Sequence, residues 1–144
     1  MKKYKKYFSG FIILSLSLIL IAGCSNGMEI EGNKILVEKR IGEEDKYERL
    51  REITDHETVQ EAKDILEHIR WENAEVSMAS PPNYKFHFEG DNEQTGLIFA
   101  LWISPNKDKV ELILESEDKY VQLSKSKSST LFEAIAGVQL SDVE

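Results

Sequence analysis

The chain has 144 residues, 41% of them hydrophobic, and 26 acidic against 18 basic residues give it a formal net charge of −8. That length fits one domain with its own core, and the acidic balance argues against nucleic acid and anionic surfaces as partners of the protein body. A single cysteine, Cys24, excludes an intrachain disulfide framework and a cysteine metal cluster.

Lys2, Lys3, Lys5 and Lys6 open the chain with no acidic residue among them, and an apolar run over residues 11–22 follows, broken only by Ser15 and Ser17. As a helix the run spans about 18 Å, short of the roughly 30 Å hydrocarbon layer. The pattern is that of a secretory signal peptide over residues 1–23. It ends in Ile21-Ala22-Gly23-Cys24, which resembles the lipobox of bacterial lipoproteins, with Cys24 the residue that would carry the lipid. An unlipidated thiol there would be an exposed liability in an oxidising compartment. Lipidation of Cys24 is the expectation, with two or more acyl chains giving stable anchoring. Ordinary secretion with a spare thiol and an uncleaved signal anchor are the competing readings.

The segment 1–23 holds four of the basic residues and none of the acidic ones, so the remaining 121 residues carry 14 basic against 26 acidic, a net charge of −12. Residues 24–33 contain glycines and asparagines and read as a lipid anchor and short tether, reaching about 30 Å if extended. Residues 34–144 read as a single acidic domain.

In chain order, residues 34–39 (KILVEK) predict a strand. Residues 47–53 are ambiguous, because Tyr47, Leu50 and Ile53 recur every three residues while the arginines suit an outward strand face. Thr54 and Glu57 have capping-box spacing ahead of an amphipathic helix over about residues 57–70, with Val59, Ala62, Leu66 and Ile69 inward. Pro81-Pro82 breaks the extended segment that follows. Tyr84, Phe86 and Phe88 then alternate with Lys85, His87 and Glu89, a half-buried strand. Residues 97–103 (LIFALWI) suit a central strand, and residues 109–115 and 120–123 two more, each joined by a short polar turn. A short helix over about residues 129–136 closes the pattern, with Gly137 as its C-terminal cap. The expected fold class is α+β. It has two layers, an antiparallel sheet of about five strands packed by one long helix and a short C-terminal helix.

The motifs carry little chemistry. His56, His68 and His87 have no paired metal-binding spacing, and the acidic runs match no twelve-residue calcium loop. A G-x-S-x-G elbow and a glycine-rich phosphate loop are both missing. The reading is therefore of no catalytic residue, no metal and no cofactor. The aromatic residues are core in the plain reading. A sheet covered on one face only would leave Trp102 exposed on the other, and with Tyr84 and the loop prolines Pro81 and Pro82 it makes a candidate ligand or partner surface.

The segments Trp71-Glu72-Asn73-Ala74, Ser80-Pro81-Pro82-Asn83-Tyr84-Lys85-Phe86 and Ala100-Leu101-Trp102-Ile103 resemble those of the YhfM-like small lipoproteins of Bacillus and relatives. The resemblance runs on through Lys109-Val110-Glu111-Leu112 and Tyr120-Val121-Gln122-Leu123 to Leu131-Phe132. It implies a Gram-positive cell-membrane lipoprotein on the extracytoplasmic face, with no assigned activity, cofactor or catalytic residue, and it carries over only the lipidated cysteine, onto Cys24. The expected function is a non-enzymatic interaction or accessory module, anchored in the bilayer through acylated Cys24 and partnered by an exported or membrane protein. The alternative is a module binding a small ligand or envelope polymer.

Overall fold

The computed structural model describes residues 28–92 and 95–144. The expected signal peptide, Cys24 and the first part of the expected tether lie outside the described residues.

Seven strands form one sheet: β1 (Lys34–Arg40), β2 (Tyr47–Ile53), β3 (Glu72–Asn73), β4 (Tyr84–Glu89), β5 (Thr95–Ile103), β6 (Val110–Leu114) and β7 (Lys119–Gln122). Their order is β2-β1-β4-β5-β6-β7-β3, and every neighbouring pair is antiparallel. Register sorts the side chains into two faces. Ile35 lies opposite Ile53 and Phe88, Val37 opposite Phe86, Phe86 opposite Phe99, Leu101 opposite Tyr84 and Leu112, and Leu112 opposite Val121. All of these are buried. The ring of Phe86 stacks on Phe99 with centroids 5.1 Å apart, and Tyr84 meets Phe132 edge-on at 5.3 Å.

Two helices pack on each other and cover this face. Helix α1 (His56–His68) buries Val59, Ala62 and Leu66, one stripe of its surface. Helix α2 (Lys125–Ala136) buries Leu131, Phe132, Ala134 and Ile135, and it touches β1, β2 and β6. A short 3-10 turn (Leu140–Asp142) tucks Leu140 against the core. At the N-terminal end, Met28 packs on the core and Ile30 is buried, its backbone N–H donating to Glu67 Oε1 at 2.9 Å. Gly32 follows at φ 124°, where any Cβ would lie 2.9 Å from the backbone oxygen of Glu89. Only glycine lets the entering chain run so close to the end of β4.

The expected five-strand sheet under one long and one short helix is not the structure. The sheet has seven strands, and the helices are of similar length, 13 and 12 residues. Three local causes account for the difference. Residues 47–53 form the edge strand β2, and the three-residue apolar recurrence there is produced by an irregularity opposite Val37 and Glu38 that leaves Leu50 exposed. The two-residue strand β3 gains its place only by pairing with β7, and no pattern marks so short a piece. Helix α2 starts four residues before the predicted point, because Ser124 caps Lys127 and the buried Ser128 hydroxyl bridges Val110 and Leu123. The cap of α1 is Asp55 rather than Thr54. Its carboxylate accepts from the Thr58 N–H at 3.0 Å and from the Thr58 hydroxyl at 2.7 Å.

Candidate functional site

The sheet face turned away from the helices carries the polar half of each strand. After β3 at one edge, the chain must cross the rows of β7, β6 and β5 to enter β4, and residues 74–83 form that strap. It starts with the Ala74 N–H donating to Asp118 O at 3.2 Å and ends with the Asn83 N–H donating to Leu101 O at 2.8 Å. Its last turn is held by three side chains from three strands. Trp102 Nε1 donates to Ser80 O at 2.8 Å, Arg40 Nη1 to Pro81 O at 2.7 Å, and the Tyr47 hydroxyl to Pro82 O at 2.8 Å. Asn83 completes the junction, its Oδ1 accepting from the Ile103 N–H at 2.9 Å. Prolines suit this segment, since they stiffen it and bring carbonyl acceptors with no N–H of their own to satisfy.

The residues expected to share a ligand surface therefore part company. Tyr84 is buried at 3% exposure on the helix-covered face, where burial raises its phenol pKa. Trp102 is half-buried on the opposite face, and its indole N–H is used by the strap. Pro82 is buried and Pro81 half-buried, their carbonyls likewise engaged. Trp102, Pro81 and Pro82 meet in one cluster with Arg40 and Tyr47, and Tyr84 does not join them.

Three charge clusters lie on this face, two of them beside the strap. Lys85 Nζ stands 4.9 Å from the Tyr47 ring centroid and pairs with Glu115 at 3.0 Å. Burial, then Asp45 beside it, pushes the Tyr47 phenol up to about 12. The Tyr120 hydroxyl donates to Glu111 at 2.5 Å, and burial followed by that carboxylate pushes it to about 12 as well. At the Lys34 end of the sheet, Glu89 is 9% exposed, with His87 Nε2 at 2.9 Å and Lys34 Nζ at 3.2 Å. The His87 hydrogen bond, ahead of Lys34, holds the Glu89 carboxyl below the usual range. Chemically this is a carboxylate held between an ammonium and an imidazole, and its Lys34 contact ties β1 to β4. His56 and His68 are exposed at the two ends of α1, and His68 Nδ1 contacts the Asp64 carbonyl at 2.7 Å. Among the described residues, no group of three or more histidine, cysteine or acidic side chains is placed to hold a metal ion.

Sequence reasoning missed Arg40 and Tyr47 as holders of the strap. Their signal was present only as polar or aromatic residues on strands whose pairing was unknown. A second feature it missed is a polar pocket between the helices and β2, lined by Arg51, Thr58, Glu61, Ser129, Thr130, Glu133 and Gly137.

Residues 29–140 match the family described as YhfM protein. Among solved structures, the chain is similar to a thioesterase-like protein from Clostridium sporogenes, with a TM-score of 0.54 and 20% identity over 77% of this chain and 100% of that one. At that identity the likeness concerns the fold alone. No curated protein matches the chain.

Proposed function

Because the chain belongs to the YhfM protein family, we propose that it is a cell-surface lipoprotein, held at the extracytoplasmic face of the membrane by acylated Cys24, and that it acts as a non-enzymatic interaction module. The observation that carries this reading is the position of the chain's entry. Met28 and Ile30 are already packed on the core a few residues after Cys24, at the Lys34 end of β1. The clamped strap lies at the other end, roughly 20 Å away for seven residues at about 3.3 Å each. A short tether thus holds one end of the domain near the bilayer and turns the strap end outward. The net charge of −12 beyond residue 23 keeps the body off anionic headgroups and favours a partner with a basic or neutral docking surface. No helix of the described residues is long and apolar enough to cross a membrane.

In-cell crosslinking of the tagged full chain, beside its Cys24→Ala variant, tests the proposal. One dominant exported or membrane protein captured by the anchored form and lost with Cys24→Ala is the expected result. Equal membrane recovery of the two forms, or no enriched protein despite good expression, contradicts it. The ligand-binding alternative loses Tyr84 from its surface, since that ring is part of the core.

A further inference from the structure

On β2, register places Arg51 opposite Val37 and Ile53 opposite Ile35, so Arg51 stands on the helix-covered face among apolar neighbours. A charged residue at such a position breaks the alternation that the sheet otherwise keeps, and breaks of that kind concentrate at functional sites. The guanidinium is half-buried and lies over Gly137, where an added Cβ would come within 1.9 Å of Nη1. Gly137, at φ 74°, is the C-terminal cap of α2. Among the described residues the Arg51 side chain makes no hydrogen bond or ion pair. It therefore brings up to five donors to the pocket of 540 Å³ with none of them engaged.

The rest of the lining has the opposite character. Glu61 and Glu133 bring carboxylates. The Thr58 hydroxyl spends its proton on Asp55 at 2.7 Å, and the Thr130 hydroxyl on the Ser126 carbonyl at 3.1 Å, so both face a ligand as acceptors. The C-terminal end of α2 adds the negative pole of its dipole. A simple anion would meet two carboxylates, and a simple cation would meet Arg51. A compact molecule carrying both charges satisfies the whole set. Its carboxylate takes the guanidinium fork, and its ammonium takes Glu61, Glu133 and the threonine oxygens. The volume lies in the range of small-molecule sites. We propose that this pocket binds a free α-amino acid as its zwitterion, a role separate from anchoring and from the strap.

The test is a titration of the isotope-labelled full chain in detergent, followed by amide chemical shifts near Thr58, Thr130 and Glu133. The probes are L-alanine, L-alaninamide, which lacks the carboxylate, and N-acetyl-L-alanine, which lacks the ammonium. Saturable shifts with alanine, about tenfold weaker binding of each single-charge analogue, and about tenfold weaker alanine binding by Arg51→Met and Glu133→Gln are expected. Glu133 is exposed, so Glu133→Gln keeps the test decisive if Arg51→Met fails to fold. No saturable shift, equal binding of either analogue, or unchanged alanine binding by the variants overturns the proposal.

Discussion

Ser128 sits at 0% exposure with its hydroxyl between two backbone groups, accepting from the Val110 N–H at 2.9 Å and donating to the Leu123 carbonyl at 3.3 Å. It joins the start of α2 to the start of β6 through a contact that no apolar residue can replace. Ser128→Ala strands a buried N–H and is expected to cost about 1–3 kcal/mol, read as a lower midpoint in urea denaturation. Glu89 gives the same scale a pH dependence. Its folded carboxyl is held below its ordinary value of 4.5, so the stability it contributes is complete above that pH and is lost as pH falls through the lower folded value. Glu89→Gln should therefore lower the denaturation midpoint at neutral pH, and the gap from the unsubstituted chain should close as acid protonates Glu89. Tyr47 and Tyr120 work in the other direction. With both phenols pushed up to about 12, the unfolded chain ionises first, and stability falls as pH rises from 10 towards 12. An alkaline absorbance titration should show these two tyrosines ionising late.

At the scale of elements, the strap depends on side chains far from it in sequence. Arg40, Tyr47 and Trp102 reach residues 80–82 across separations of 41, 35 and 22 positions. Arg40→Met combined with Tyr47→Phe removes two of the three donors, each of them worth about 0.5–1.5 kcal/mol. Limited proteolysis should then cut residues 74–83 faster while the helices remain protected, and unchanged cleavage would count against the clamp. The same separations explain what sequence could and could not give. The alternation of Tyr84, Phe86 and Phe88 with Lys85, His87 and Glu89 is local, and it reads directly as a strand with one buried face. Trp102 is legible as a residue on the face opposite Phe99 and Leu101, because a period of two is enough to say so. Its partner Ser80 is not legible, since it depends on where β3 pairs. Edge strand β2 was obscured by its irregular pairing, and the early start of α2 by serines that look like a loop until Ser128 is seen buried. Arg51 was legible only as an arginine on an ambiguous segment. Its inward position follows from the Val37 pairing.

For the whole molecule, direction is the central point. The chain enters at the Lys34 end of β1, and the strap is fixed at the Arg40 end, so an anchor at Cys24 makes the two ends of the domain unequal. In the proposed reading, the acidic body and short tether orient a docking surface. The most direct measurement is site-resolved photocrosslinking in living cells, with a crosslinking residue placed at exposed Ala79 beside the clamped turn of the strap or at exposed Glu29 beside the entry. The account predicts a single dominant protein adduct from position 79 and lipid or no protein adduct from position 29. A protein adduct from position 29 with none from position 79 would contradict it.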